Sequence, residues 1–279
     1  MEIRVMTRED IPFAADITSR EGWGYTQDDF EHILALEPEG CFVAYDGDRR
    51  IGMLTTVDYG ETAWIGNVVT ETDRRGEGIG SKVVLRAVEY LKKKGVTNMA
   101  LYSYMDSISF YKRMGFKEIF RVTRFTGPAA SSDSKGTRRT TESDIQRIAD
   151  FDHEYFPGNR YGLLKMMLEK SPTYFLHAGD NDILGYIAGF CSPKACEIGP
   201  WVCHPDHPDA AENLLVDCLS ALDSDTTSLG IPNENSKARR IVERRGFTKD
   251  FEVAGMLLGT DAIDMNSEAI FGIGSLEMG

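Results

Sequence analysis

The sequence has no long apolar run. Its hydrophobic stretches are only a few residues each, too short to span a bilayer as a helix, so no membrane association is expected. The opening MEIRVMTRED is charged from its second residue and has no apolar centre, so it does not read as a secretory leader. Cysteine is sparse and odd in number: Cys41, Cys191, Cys196, Cys203 and Cys218. Without a leader, reduced thiols in a cytoplasmic protein are the expectation. The C-x₂-C knuckle of a zinc site is missing around Cys196, Cys203, His204 and His207, which predicts small buried thiols and no metal. Basic residues are short too, 31 Lys+Arg against 44 Asp+Glu, a formal net charge of -13. That balance excludes nucleic acid as a partner, because phosphate backbones need clustered cations. It suits solubility, and it suits a cationic small substrate through long-range attraction.

What is present fits a folded chain of about two domains: 279 residues, 42% apolar and 27% charged. The acidity is uneven. Residues 1–125 hold 17 Lys+Arg against 20 Asp+Glu; the remaining 14 Lys+Arg face 24 Asp+Glu, so an anionic ligand belongs with the first half.

Periodicity predicts a helix over Arg8–Glu21 with Thr7 as N-cap, and a second after Thr26 with Phe30, Ile33, Leu34 and Leu36 on one face. Strands follow at Cys41–Tyr45 and Ile51–Tyr59 around an Asp46-Gly47-Asp48 turn, then at Thr62–Thr70. Gly78–Lys94 reads as a long amphipathic helix closed by Gly95. Asn98–Ser103 is a strand, Ser107–Met114 a short helix and Phe116–Phe125 a further strand.

Residues 126–136, TGPAASSDSKG, have linker composition, and the pattern then starts again. Thr140-Thr141-Glu142-Ser143-Asp144-Ile145 echoes Met6-Thr7-Arg8-Glu9-Asp10-Ile11. Tyr174–Phe190 reads as a second hairpin around Gly179–Asp182, and Gly246-Phe247 echoes Gly115-Phe116. Two copies of one unit are predicted, over 1–125 and 137–279.

The stretch carrying chemistry is Val68-Val69-Thr70-Glu71-Thr72-Asp73-Arg74-Arg75-Gly76-Glu77-Gly78-Ile79-Gly80-Ser81. A strand ends and a helix opens on a glycine-rich turn, so backbone N–H groups converge at a helix N-terminus. Such a turn holds phosphate oxygens without a cationic side chain. No Gly-Lys-Ser/Thr follows, which excludes a Walker A loop. The preceding hairpins also disagree with an opening βαβ unit, so a dinucleotide fingerprint is unconvincing.

Two motifs resemble the Gcn5-related N-acetyltransferase (GNAT) superfamily. Arg75, Gly78 and Gly80 match its Arg/Gln-x-x-Gly-x-Gly/Ala signature. Phe110-Tyr111-Lys112-Arg113-Met114-Gly115-Phe116 resembles its later Leu-Tyr-x-x-x-Gly-Phe signature. The run from Glu21-Gly22-Trp23 through Leu36-Glu37-Pro38-Glu39-Gly40-Cys41-Phe42-Val43-Ala44 looks like a YitH-like subgroup with a C-terminal extension. The resemblance implies an α/β (α+β) chain of tandem GNAT folds, each a mixed, mostly antiparallel twisted sheet flanked by helices. It implies acetyl-CoA as co-substrate, with no metal, and a CoA-binding domain over 1–125. Backbone N–H groups of Gly76, Glu77, Gly78, Ile79, Gly80 and Ser81 would hold the pyrophosphate, with Arg75 of the signature also counted among the cofactor-binding residues. Val68, Val69 and Thr70 would pair with the pantetheine arm beside a splay between the strands at 62–70 and 98–103. One of those N–H groups would polarise the thioester carbonyl.

The implied chemistry is direct attack by a small-molecule amine. Tyr111 is the expected general acid for the CoA thiolate, since a phenol of ordinary pKa near ~10 stays protonated at neutral pH. Asp106, near the start of the helix that carries Tyr111, is the expected base; Glu61, Asp58, Asp28 or water acting through Asn67 are the other candidates. Trp23 and Tyr25 would line the acceptor pocket, with Asn67 also a substrate-side residue. Glu77 departs from the family, which often has a basic residue there, and Tyr104 stands where the family often has Asn.

In the second half Val242 replaces the tyrosine, and the loop Cys203-His204-Pro205-Asp206-His207-Pro208-Asp209 has no glycine and two prolines that cannot donate. That reads as a degenerate GNAT-like copy that no longer binds CoA. Its expected jobs are to cover the acceptor site, to buttress the first half or to form the surface of a homodimer. Two other functional readings stand beside the enzyme of small amines: a non-catalytic CoA or metabolite sensor, and a protein or peptide N-acetyltransferase. The apolar tail Ile270–Leu276 is expected to dock, at an unassigned place.

Overall fold

The same local signal opens both halves. Thr7 caps a 3₁₀ turn in a reciprocal box with Asp10, and Thr141 does the same with Asp144. In each case a buried isoleucine follows and an α-helix begins, so the repeated Thr-x-x-Asp of the sequence is a repeated fold of the backbone. The structure, a computed structural model, describes residues 1–129, 135–170, 174–179, 182–191, 196–259 and 268–279.

The first half runs β1 (Glu2–Val5), α1 (Ile11–Arg20), α2 (Gln27–Leu36), β2 (Phe42–Asp46), β3 (Arg49–Asp58), β4 (Thr62–Thr70), α3 (Ile79–Lys93), β5 (Asn98–Tyr104), α4 (Ile108–Lys112) and β6 (Lys117–Pro128). The second repeats that order as β7 (Arg138–Arg139), α5 (Ile145–His153), α6 (Tyr161–Glu169), β8 (Tyr174–Ala178), β9 (Gly185–Cys191), β10 (Cys196–Cys203), α7 (Pro208–Ala221), β11 (Thr226–Pro232), α8 (Ser236–Arg244) and β12 (Thr248–Leu258), then adds β13 (Ile270–Gly272). β6 continues to Pro128, three residues into the stretch of linker composition, and residues 130–134 of that stretch lie outside the described residues. The tip of the second hairpin, 180–181, lies outside them too.

The thirteen strands of the described residues form one mixed, mostly antiparallel sheet in the order β1-β2-β3-β4-β5-β12-β6-β11-β10-β9-β8-β7, with β13 attached to β10. The order is that of two copies facing each other, with their sixth strands exchanged. β12, from the second half, pairs with β5 over Met99–Tyr104. β6, from the first, pairs with β11 over Val122–Pro128. The two exchanged strands also pair with one another at the centre. Backbone hydrogen bonds of three adjacent strand pairs therefore join the halves at the centre of the sheet.

Apolar periodicity sets which faces are covered. Ile79, Val83, Val84, Ala87, Val88 and Leu91 form one stripe of α3 and pack on Phe42, Ile51, Ile65 and Leu101 of one face. Burial of such side chains contributes about 1.5–3 kcal/mol each. α1 and α2 cover the opposite face of the first half through Ile17, Phe30 and Ile33 against Val43, Met53 and Val69. Trp64 and Val57 of the first half share a core with Ile148, Leu164, Tyr186 and Val202 of the second.

The thiols were expected to be reduced, but Cys191 and Cys196 form a disulfide, because the β9–β10 register sets them directly opposite each other with Cα atoms 4.0 Å apart. Cys41, Cys203 and Cys218 are free and buried. The apolar tail has a place: Ile270–Gly272 is β13, antiparallel to Trp201–Val202.

Candidate active site

β4 and β5 start side by side and part. Thr62, Ala63 and Trp64 pair in parallel with Asn98, Met99 and Ala100, and no pair joins the strands beyond that point. β4 keeps its other neighbour, β3, as far as Thr70. The parting coincides with a bulge: Gly66 opposes Thr55 and Val69 opposes Met53, so Asn67 and Val68 together face one residue. Asn67 takes the left-handed conformation, φ 51°, that makes the bulge. Its side-chain amide turns back to donate to Thr55 Oγ1 at 3.2 Å, so Asn67 sits at the opening as its hinge, with its side chain committed to β3. Val68, Val69 and Thr70 thus form one wall of a wedge, with Leu101–Tyr104 as the other.

The glycine-rich turn closes the wide end of that wedge. Thr72–Arg74 make a 3₁₀ turn, Gly76 and Gly78 take φ 86° and 77°, and α3 begins at Ile79. No amide from Gly76 to Ser81 donates to a backbone or side-chain group among the described residues. The first amide of the helix with a backbone partner is that of Lys82, on Gly78 O at 3.2 Å. A Cβ on Gly76 or Gly78 would meet nothing within 4 Å, so open space lies before the turn. Gly80 is packed instead: a Cβ there would lie 3.3 Å from the Phe110 ring and 3.7 Å from Thr70 Oγ1.

Side chains around the turn are held by ion pairs. Arg74 forks onto Glu77 at 2.8 and 2.9 Å and also reaches Asp46 at 2.9 Å. The carboxylate of Glu77, at a position often basic in the resembled family, is thereby neutralised from outside the turn. Arg75 pairs with Glu21 and donates to Thr70 O at 3.3 Å. Arg20 binds Glu71 in the same bidentate way, at 2.8 and 2.9 Å, so the end of α1 is tied to the turn. Exposed pairs of this kind contribute little stability singly and act here to fix position.

Tyr111 lies on α4, buried among Phe110, Phe116 and the α3 stripe, with ring centroids 4.9 and 5.8 Å from its two aromatic neighbours. Burial pushes its pKa above the ordinary phenol value, so it stays protonated at neutral pH. Its hydroxyl takes part in no hydrogen bond among the described residues. The carboxylates weighed as bases fall elsewhere. Asp58 is bound to Lys94 at 2.7 Å and accepts from the Gly60 amide, and exposed Glu61 accepts from Thr97 and Asn98 through its carbonyl. Both sit at the closed end of the wedge: Glu61 is five residues, roughly 16 Å, along the strand from Gly66, and Asp58, opposite Ala63, is roughly 10 Å along. Asp28 is exposed in the first turn of α2. Asp106 is exposed beyond the end of β5 and accepts from Ser107 Oγ at 3.0 Å.

On the face of β4 away from α3, the chain's last residues cross the strand. Tyr59 donates to the Met278 carbonyl at 2.6 Å, and Gly279 lies against Trp64. A Cβ on Gly66 would lie 2.5–2.6 Å from Cβ, Cα and O of Glu277, so this glycine is where the tail touches β4, one residue before the bulge. Glu277 is 6% exposed and accepts from Tyr25 Oη at 2.6 Å. Trp23 and Tyr25 are half-buried in the α1–α2 connection, with Trp23 facing the Tyr104 hydroxyl. The sequence-predicted aromatic residues and this tail therefore meet over the parting of β4 and β5. Two donors there, Trp64 Nε1 and Tyr102 Oη, have no partner among the described residues.

Glu277 was missed by sequence reasoning. It stands 211 positions after Gly66 (277 minus 66) with no motif around it, and only the fold joins them. Burial, then the nearby Glu197 carboxylate, push its pKa from an ordinary 4.5 to about 7, while the Tyr25 hydrogen bond opposes the rise. The folded chain thus keeps a proton that the unfolded chain releases. Between about pH 4.5 and 7 this group's contribution to stability falls as pH rises, by about 3 kcal/mol in all. Glu277→Gln is expected to remove that slope from the difference in unfolding free energy, read by urea titration at pH 4.5, 6 and 8. An unchanged pH dependence in the variant would contradict the burial of an ionising Glu277.

The second half carries the same wedge in a filled form. β10 and β11 pair in parallel only at Cys196–Thr227 and Glu197–Ser228, and β13 lies in the gap, bonded to β10 and reaching β11 through Ile273 N to Gly230 O at 2.9 Å. The turn before α7 has Pro208 at the first helical position and no left-handed glycine. No group of three or more His, Cys, Asp or Glu among the described residues could hold a metal ion.

Two family models match the chain. "Acetyltransferase (GNAT) family" covers residues 11–116, and "Acetyltransferase (GNAT) domain" covers residues 148–272. Holothin acyltransferase of a Pseudoalteromonas species is 22% identical over 272 residues, 93% of this chain and 88% of that protein. An uncharacterized N-acetyltransferase of Methanocaldococcus jannaschii is 29% identical over 99 residues, 32% of this chain and 44% of that protein, so less than half of the archaeal relative is matched. N-alpha-acetyltransferase 30 of Schizosaccharomyces pombe is 29% identical over 36% of this chain and 73% of that protein. Among solved structures, a Pyrococcus horikoshii protein described only as a candidate acetyltransferase superposes with a TM-score of 0.86 at 22% identity, covering 100% of this chain and 95% of that one. A tandem GNAT protein from the clavulanic acid biosynthesis pathway gives 0.68 at 15% identity, with 94% and 99% covered.

Proposed function

Starting from the GNAT acetyltransferase superfamily, to which this chain belongs as an acyltransferase with two such domains in tandem, we propose that the first half transfers an acetyl group from acetyl-CoA to the amine of a small molecule by direct attack. The observation that carries this reading is the wedge between β4 and β5 with unpartnered amides at its wide end. Amides from Gly76 to Ser81 would receive the pyrophosphate, aided by the positive end of α3. Val68–Thr70 would pair with the pantetheine arm as an added strand does, and a backbone N–H at the bulge would polarise the thioester carbonyl. Arg75 would serve by shaping the turn through Thr70 and Glu21.

The second half holds the same wedge filled by β13, which supports a degenerate copy without CoA. It supplies β12 and the covering tail to the first half. That cover narrows access over Trp23 and Tyr25, which favours a small acceptor over a folded protein.

Tyr111 would protonate the departing thiolate. Tyr111→Phe is expected to lower kcat by about 10²-fold with the acetyl-CoA KM within about 2-fold, in a free-thiol assay over a panel of amines. Unchanged turnover would retire Tyr111 as the acid. Absence of acetyl-CoA binding to the unaltered protein, by isothermal titration, would remove the acetyltransferase reading of this site.

A further inference from the structure

We propose that Glu277, delivered by the second half, is the general base of the first half's site, and that its acceptor is a primary amine arriving as an ammonium ion. The proposal rests on the acetyltransferase reading above and supplies the base that reading lacks.

Three observations place the residue. The tail touches β4 at Gly66, beside the bulge where β5 departs, and does so on the face that carries α1 and α2. A larger residue at 66 would exclude Glu277, so the glycine makes room for this contact. Tyr25, from the connection expected to line the acceptor pocket, binds the carboxylate at 2.6 Å. The tail is also fixed at both ends of the crossing: β13 is locked into the sheet of the second half, and Gly279 O accepts from the Gly274 amide at 2.8 Å and from buried Arg160 at 3.2 Å. The same segment that fills one wedge thus aims a carboxylate at the other.

The surroundings select the charge of the acceptor. Tyr25 from the α1–α2 connection, Glu197 from β10, Tyr59 from the end of β3 and Ser275 from the tail face Glu277. Glu197 has its own pKa raised by burial, with Arg124 opposing the rise. Arg124 is itself engaged by Ser228 at 2.7 Å. Two buried carboxylates near enough to act on one another favour a cation beside them, and a group that half-ionises near neutrality is matched to removing a proton from one.

In the reaction, the Glu277 carboxylate takes one proton from the ammonium and passes it to solvent. The freed lone pair forms the N–C bond to the acetyl carbonyl carbon, and the C–S bond breaks. The thiolate takes the proton of Tyr111, whose phenolate recovers it from the acylated nitrogen. One N–H remains in the amide product, and the sum releases one proton.

The test uses bromoacetyl-CoA on the full chain, because it needs no known acceptor. Bound in the wedge, its CH₂–Br carbon is attacked by a carboxylate oxygen, bromide leaves and an ester marks the residue. Peptide mass spectrometry is expected to find the label on Glu277 in the unaltered protein and not on position 277 of Glu277→Gln, with acetyl-CoA affinity within 2-fold in both. The labelling rate should rise with pH about a midpoint near 7, and Tyr25→Phe should move that midpoint upward by removing the hydrogen bond that favours the ionised form. For any primary amine acetylated by the protein, Glu277→Gln should lose about 100-fold in kcat and the acidic limb of the pH profile. Reagent bound without labelling of Glu277, or full kcat in Glu277→Gln, overturns the assignment. Labelling of Glu277 with no primary amine accepted overturns the acceptor class. No binding of either CoA ester overturns the acetyltransferase reading itself.

Discussion

Replacing Gly78 by valine or Gly80 by leucine is expected to weaken acetyl-CoA binding at least 100-fold, about 2.7 kcal/mol, by isothermal titration. The two act by different routes. Gly78 has φ 77°, a conformation costing an L-residue roughly 1–2 kcal/mol and a β-branched one more, and it has open space beyond it. Valine would either turn the Gly76–Ser81 amides or place its methyls where the proposed diphosphate lies. Gly80 has no strain to relieve, but its Cβ would meet Phe110 at 3.3 Å, so leucine would push α4 and Tyr111 away from α3. Gly47→Val is the control: Gly47 also has positive φ and open space, but lies in the β2–β3 turn. It should lose stability to a similar extent and keep its acetyl-CoA affinity. Equal affinity loss at Gly47, or none at Gly78, would contradict a main-chain cradle.

The largest loss of stability is expected from Arg160→Met. Arg160 and Asp152 form a fully buried fork at 2.6 and 2.9 Å, Tyr186 donates to the same carboxylate at 2.5 Å, and the guanidinium lies 3.7 Å from the Phe156 ring centroid. Removing one partner leaves Asp152 charged and buried, a cost of about 3–5 kcal/mol, whereas removing both charges together is often close to neutral. Guanidinium denaturation should therefore show Arg160→Met far below the parent and Arg160→Met with Asp152→Asn recovering much of the loss. Arg160 also holds Gly279, so both variants should turn over more slowly even where the fold is regained. A single variant as stable as the parent would show that the pair is not buried as described.

Much of the first half was legible in the sequence. The caps at Thr7 and Thr26, the stripe of α3, the hairpin at Gly47 and the positive-φ glycines of the turn are local, set by the chemistry of residues within one or two turns of each other. The duplication was legible because Thr141 and Asp144 repeat the local signal of Thr7 and Asp10. The cysteines were misjudged because register, and not spacing, brings Cys191 to Cys196. Among the proposed site residues, Asn67 has its side chain engaged with Thr55, which its neighbours in sequence gave no means of foreseeing.

The sequence by itself determined two copies of one unit and a glycine-rich turn ahead of a long helix, because capping, periodicity and glycine conformation are decided over short spans. Only the tertiary structure decided that β6 and β12 change places, that β13 fills the second wedge, and that Glu277 lies on β4 beside its bulge. Those are pairings between segments far apart in the chain. They follow from which edges, recesses and buried charges remain to be satisfied after the local elements have formed, and no window of neighbouring residues records them.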